Sequence, residues 1–176
     1  RLASSDPLPP RRPDPATTSL AADDERHFRR AIEVCRAGID AGQSPFGACL
    51  VRDGREIAAA HNAVWLTHDP TAHAEVQALR EACARTGEVH VEGATLYSTT
   101  EPCPMCFTAA HWARVARIVY GASIEDAAAA GFNELRVSNE TLKRAGGSRV
   151  EIVGGVLRDE ALALFAAWKA RGGGAY

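Results

Sequence analysis

The sequence predicts a three-layer α/β/α domain built on a mixed sheet, on two observations. A strand pair closed by Asp53-Gly54 comes early, and after it helical and strand-like segments alternate to the end of the chain. The first helix is expected from Asp23 or Asp24, acting as its cap, to about residue 41. Phe28, Ala31, Ile32, Cys35 and Ile39 recur there at helical spacing, and Gly42 follows as a stop. Residues 46–51 read as a buried strand. Asp53-Gly54 is a strong two-residue hairpin turn, so 56–60 returns as the partner strand. A loop runs through Asn62 and Asp69-Pro70. Residues 72–85 form a helix with Val76, Leu79 and Cys83 on one face and Gly87 just past the end. Residues 95–99 are strand-like. Pro104 suits the first position of a helix running to about 114. Residues 116–120 make another buried strand, 121–138 an irregular stretch with an alanine run, 140–145 a short helix and 149–153 a fifth strand. Residues 159–170 complete the pattern as an amphipathic helix carrying Leu162, Phe165 and Trp168, followed by Gly172-Gly173-Gly174 and Tyr176.

A chain of 176 residues with 46% hydrophobic content can bury one core without disulfides or a structural metal. The formal net charge of -2 shows no basic dominance and argues against a nucleic-acid partner. No apolar run reaches the roughly 20 residues of a membrane span, and no signal-peptide pattern opens the chain. Five cysteines, an odd number, fit a reducing compartment, so the expected location is the cytoplasm, with an organelle left open. The chain starts at Arg1 and its only methionine is Met105, so it is expected to be a processed or trimmed product. Pro7, Pro9, Pro10, Pro13 and Pro15 crowd its start among few large apolar residues. Residues 1–22 are therefore expected as an extended or disordered arm, and 23–176 as the folded domain.

Two short runs carry the chemistry, His73-Ala74-Glu75 and Pro102-Cys103-Pro104-Met105-Cys106. A Cys-x-x-Cys at a helix start turns two sulfurs toward one point, where the helix dipole favours thiolates. One histidine added to the pair makes three protein ligands. On tetrahedral zinc that leaves a position open for water, as in a catalytic site. Glu75 lies two residues from His73, near enough to handle that water's proton without binding the metal. His111 is the rival ligand, read as structural or solvent-facing. Cys35, Cys49 and Cys83 are read as core thiols, and His27, His61, His68 and His90 carry no role.

The runs 69–75 and 101–106 resemble the cytidine deaminase superfamily, over nearly all of the chain from Asp24 onward. Pro45-Phe46-Gly47-Ala48, Trp112-Ala113-Arg114, the run 126–132 and the terminal Tyr176 are similar to the small guanine deaminases, with plant guanosine deaminases close beside them. The resemblance implies a cytidine-deaminase-like fold with a five-stranded central sheet, and one zinc ion per subunit held by His73, Cys103 and Cys106. It also implies Glu75 as the proton shuttle. The implied reaction is hydrolytic deamination of a small purine, base or nucleoside, guanine first and guanosine second. Asn62 would then hydrogen-bond the purine, and Phe46 and Trp112 would line or stack on its ring. Glu134 would accept from its N–H groups, and backbone around Ala74 would orient the amino group. The segment 171–176 would bring Tyr176 over the pocket, across a homodimer with exchanged C-terminal segments. The family often has aspartate where this chain has Glu134, a departure that lengthens the reach. A tRNA adenosine deaminase, a cytosine, triazine or pterin substrate, and a non-catalytic zinc-binding module are the competing readings.

Overall fold

In the computed structural model, which describes residues 15–176, α1 spans Pro15–Asp40. It begins well ahead of the expected cap, so residues 15–22 are helical and do not belong to an extended arm. Leu20, Ala21 and Ala22 are good helix formers and carry α1 ahead of Asp23. The rest of the expected arm lies outside the described residues. Neither Asp23 nor Asp24 is a cap. Asp24 instead turns into the interior, where its carboxylate takes both Arg117 guanidinium nitrogens at 2.6 and 2.7 Å and the Tyr97 hydroxyl at 2.9 Å.

Five strands form one sheet: β1 (Gly47–Arg52), β2 (Arg55–His61), β3 (Thr95–Thr100), β4 (Arg117–Ala122) and β5 (Glu151–Val153), in the order β2-β1-β3-β4-β5. β1 runs antiparallel to both β2 and β3, while β3/β4 and β4/β5 are parallel. The sheet is mixed, as the early hairpin and later alternation predict. Asp53 and Gly54 both have positive φ, 52° and 72°, the conformation a tight two-residue hairpin turn demands.

Side chains alternate across the strands and sort the helices into layers. Ala48, Leu50, Leu96 and Ile118 face α3 (Ala74–Thr86) and α4 (Pro104–Trp112). Cys49, Val51, Tyr97 and Val119 face α1 and α7 (Arg158–Ala170). Gly47 lets α1 come close, because a Cβ there would run into the Ala31 carbonyl and the Cys35 side chain.

Two connections differ from expectation. The stretch predicted as irregular contains α5 (Ile124–Ala130), opened by a reciprocal cap. Asp126 N–H donates to Ser123 Oγ at 3.1 Å and Ser123 N–H to Asp126 Oδ2 at 2.8 Å. The alanine run is simply good helix, and Asp126 also takes Arg158 of α7 at 2.6 Å. The loop after β2 contains a single helical turn, α2 (Val64–Thr67). α6 (Asn139–Gly146) stands where a short helix is expected. Among the described residues, no helix is long and apolar enough to cross a membrane.

Candidate active site

His73 and Cys103 occupy the same structural position, the extended residue capping the N-terminus of α3 and of α4. Cys106 follows in the first turn of α4. His73 Nδ1 lies 3.6 Å from each of the two sulfurs, and the three donor atoms all fall within 4.8 Å of one another. Tetrahedral zinc, with Zn–N near 2.05 Å and Zn–S near 2.3 Å, needs N···S edges of about 3.6 Å. The residues present therefore fit the ion.

The donor set is also charged to suit a cation. The hydrogen bond from the Cys106 thiol, helped by His73, pulls the Cys103 thiol down to about 4 against the effect of burial. The same shared bond, together with burial, drives Cys106 well up. Burial works to lower His73, but its bond to Cys103 and the charges of Glu75 and Cys103 outweigh that and raise it.

Glu75, in the first turn of α3, is buried, and its Oε1 accepts from Ser98 Oγ at 3.1 Å. Burial, then the Cys103 thiolate, holds its carboxyl above the ordinary range. Glu75, His73 and Cys103 share a chamber of about 20 Å³ with Phe46, Thr100 and Glu134. That is room for a single water. An open cavity of about 310 Å³ adjoins it, walled by Phe132, Asn133, Leu135 and Tyr176, with Glu134 lining both spaces. This volume sits at the lower end for small-molecule pockets. Phe132 and Tyr176 give the cavity two aromatic walls, and the chamber beside the metal-binding triad carries Glu75, Glu134 and Glu101, the last committed to backbone N–H groups. Such a site can hold a flat heterocycle and move protons at one of its edges.

Residues 21–122 match the family described as the cytidine and deoxycytidylate deaminase zinc-binding region. The chain belongs to this deaminase family. The deaminase is 40% identical over 146 residues to the guanine deaminase of Bacillus subtilis (strain 168), covering 82% of this chain and 93% of that protein. It is 36% identical over 145 residues to the tRNA-specific adenosine deaminase of the same organism, covering 82% and 88%. Its fold matches the guanine deaminase from Nitrosomonas europaea with a TM-score of 0.76 at 31% identity, covering 83% of this chain and 84% of that one. It matches the protein NE0047 in complex with 2,6-diaminopurine with a TM-score of 0.79 at 32% identity, covering 87% and 85%.

Most of the deaminase's sequence-derived site residues converge. Phe46 lines the chamber and meets Phe132 edge-on, ring centroids 4.7 Å apart. Ala74 is buried between His73 and Glu75 at the start of α3. Glu134 is pushed up to about 7, first by burial and then by the Cys103 thiolate. Tyr176 walls the outer cavity with its ring centroid 5.9 Å from that of His73. Its hydroxyl accepts from Asn62 of its own chain at 2.8 Å. Asn62 is fully buried and lines neither cavity. Its Oδ1 accepts from the Val64 N–H at 3.1 Å.

Trp112 is the correction. It ends α4, nine residues beyond Cys103 and so about 13 Å along the helix axis from the metal-binding end. It is 75% exposed, its nearest ring is His111, and it lines neither cavity, so it stacks on nothing in this chain's own site. His111 is solvent-facing, as read, beside Ser148 Oγ at 3.3 Å. Cys35 and Cys49 are core thiols pushed up to about 12 by burial. Cys83 is only half-buried, its thiol donating to the Val89 carbonyl at 3.6 Å.

Three further residues support the site from around it. Ser98 reaches Glu75 because even-numbered residues of β3 point toward α3. Buried Glu101 accepts the Ile124 and Asn139 N–H groups at 3.2 and 2.8 Å, pinning the starts of α5 and α6 beside the cysteine loop. Asn139 Nδ2 donates to the Pro102 carbonyl at 2.6 Å and ties that loop directly.

Proposed function

We propose that this deaminase converts guanine and water to xanthine and ammonia. The reading rests chiefly on Glu134, a second carboxylate placed where the outer cavity meets the chamber holding Glu75, His73 and Cys103. Guanine presents adjacent N–H groups along the edge that carries its amino group, and a carboxylate facing that edge accepts from them. The similarity to guanine deaminases supports the same choice. Phe46, Phe132 and Tyr176 suit a flat ring.

Zinc, held by His73, Cys103 and Cys106, would supply a bound water acidic enough to ionise near neutral pH. Glu75 takes a proton from the water and gives it to the ring nitrogen beside C2. The water oxygen bonds to C2. Glu75 then takes the remaining proton of the new C2 hydroxyl and delivers it to the exocyclic nitrogen, the C2–N bond breaks as the C2 carbonyl forms, and ammonia leaves. Backbone at Ala74 orients the departing amino group. A homodimer with exchanged C-terminal segments belongs to the same proposal. The Gly172-Gly173-Gly174 run supplies a crossover, and Tyr176 would make its Asn62 contact across the subunits.

One observation favours a second substrate class, the 36% identity to a tRNA-specific adenosine deaminase. Against it stand the negative net charge and the position of Tyr176 over the pocket. The deciding experiment gives the zinc-loaded protein guanine, guanosine, adenosine, cytidine and tRNA separately and measures ammonia, with Glu75→Ala as the control. Release from guanine, lost in the variant, is expected. Release from tRNA alone, or from none, would overturn the proposal.

A further inference from the structure

We infer that Ser98 is a positioning residue for the proton shuttle, holding the Glu75 carboxyl group in line with the inner chamber. The inference rests on the hydrolytic deamination proposed above and adds a residue to it.

The geometry begins in the strand. Ser98 and Thr100 lie two apart on β3 and point to the same face, toward the start of α3. Ser98 Oγ stands 2.7 Å from the Thr100 carbonyl and 3.1 Å from Glu75 Oε1. Both side chains are buried, Ser98 at 2% exposure and Glu75 at 6%. Water therefore does not offer Glu75 Oε1 an easy substitute partner. The strand anchors the hydroxyl and the hydroxyl holds the carboxyl group, while Thr100 also lines the chamber into which Glu75 faces.

A serine suits this place for a reason beyond size. A hydroxyl carries one donor proton and can also accept, and here it has two oxygens to serve. When Glu75 carries the transferred proton on its chamber-facing oxygen, Oε1 is the carbonyl oxygen and accepts from the Ser98 O–H. When Glu75 has passed the proton on, the same O–H donates to the carboxylate. Oε1 thus keeps a donor at every stage of the shuttle, and the Thr100 carbonyl keeps the hydroxyl close by as its second acceptor. Alanine would abolish both arrangements. Threonine would retain them, with an added methyl tolerated well on a strand.

The test compares wild type, Ser98→Ala and Ser98→Thr as zinc-loaded full-length chains. Zinc content and thermal midpoint are measured first. On guanine, Ser98→Ala is expected to lose roughly 10- to 100-fold in kcat, the size of one hydrogen bond to a charged group. KM should change less than twofold, and Ser98→Thr should recover most of the rate. A second readout does not depend on turnover. The ¹³C resonance of the Glu75 carboxyl group, assigned by its loss in Glu75→Gln, should shift or broaden in Ser98→Ala and return in Ser98→Thr.

An unchanged kcat and an unchanged resonance in Ser98→Ala would overturn the inference. Joint loss of zinc, fold and rate would also overturn it, by reducing Ser98 to a structural part. If the wild type releases no ammonia from guanine, the proposed function fails. The carboxyl resonance then still decides whether Ser98 holds Glu75.

Discussion

The fully buried amide of Asn62 donates to the hydroxyl of Tyr176, 114 residues away in sequence and the last residue of the chain, at 2.8 Å. This bond draws the C-terminus across the outer cavity, where the Tyr176 ring also meets His73 and Phe132. It also means that Asn62 has one amide proton committed before any substrate arrives. Tyr176→Phe removes the acceptor but keeps the ring. One neutral hydrogen bond corresponds to about 2- to 10-fold in binding, so KM for guanine should rise by that factor with kcat little changed. Removing residues 173–176 should raise KM further and relax the preference for guanine over the bulkier guanosine. Steady-state ammonia release on both substrates measures this. An unchanged KM in both variants would mean the tail takes no part in binding.

Cys103 differs from the buried cysteines Cys35, Cys49 and Cys106 in a way alkylation can read. Cys103 is partly exposed and its thiol is pulled down to about 4, whereas buried Cys35 and Cys49 are pushed up to about 12. Thiolate is the reactive form. After chelation, iodoacetamide at neutral pH should modify Cys103 first and leave Cys35 and Cys49 untouched in the folded protein. Zinc added beforehand should protect Cys103, and zinc added to the chelated, unlabelled protein should restore ammonia release. Peptide mass spectrometry identifies the labelled site. Equal labelling of Cys103 with and without zinc would exclude it as a ligand.

The metal centre was legible because its parts are local. His73, Glu75, Cys103 and Cys106 sit within two short runs, each at a helix start that Pro70 and Pro104 help to mark. The hairpin and the layer assignment were legible for the same reason, through Asp53-Gly54 and the alternation in β1. What escaped was either non-local or masked by composition. Ser98 and Glu101 act through partners 23 and 38 residues away, and no spacing rule joins them. The alanines of α5 have no amphipathic period, and the cap at Ser123 uses aspartate where glutamate is the familiar sign. The proline-rich composition of the first residues suggested an arm through residue 22, whereas residues 15–22 are helical. Trp112 is the sharpest case. Its neighbourhood to Cys106 in sequence is real, but α4 carries it to the opposite end of the helix.

Asp24 and Arg117 join α1 to β4 through two short bonds, with Tyr97 adding a third to the same carboxylate, and their side chains are only 8% and 13% exposed. Asp24→Ala leaves the buried guanidinium with only the exposed Glu151, 3.3 Å from its Nε, and the Tyr97 hydroxyl without its acceptor. The expected cost is roughly 3 kcal/mol, the lower end for breaking a buried pair. Urea unfolding should show the midpoint falling while the slope stays constant. The Arg29–Glu160 pair joins α1 to α7 but is half exposed on both sides, so Arg29→Ala should scarcely move the midpoint. Similar effects from the two variants would show that the Asp24 cluster is solvated like any surface pair.

Glu134 ties stability to pH in the metal-free protein. Its carboxyl is pushed up to about 7 in the folded chain, against an ordinary value of 4.5, by burial and then by the Cys103 thiolate. The folded state therefore holds this proton more tightly than the unfolded one. The stability this contributes is full below pH 4.5 and is lost as pH rises through about 7. Glu134→Gln keeps a neutral group of similar shape at every pH. The unfolding free energy of wild type should accordingly fall relative to Glu134→Gln across that window, by about 1–2 kcal/mol once the solvent Glu134 still sees is discounted. Above the window the difference should level off. Urea unfolding of both chains at a series of pH values gives the curve directly. Repeating it with zinc bound should move the window to lower pH, because a cation on Cys103 cancels the charge that helps raise Glu134. A difference that stays flat from pH 4.5 to 7 would mean Glu134 ionises in the folded protein as freely as in the unfolded chain.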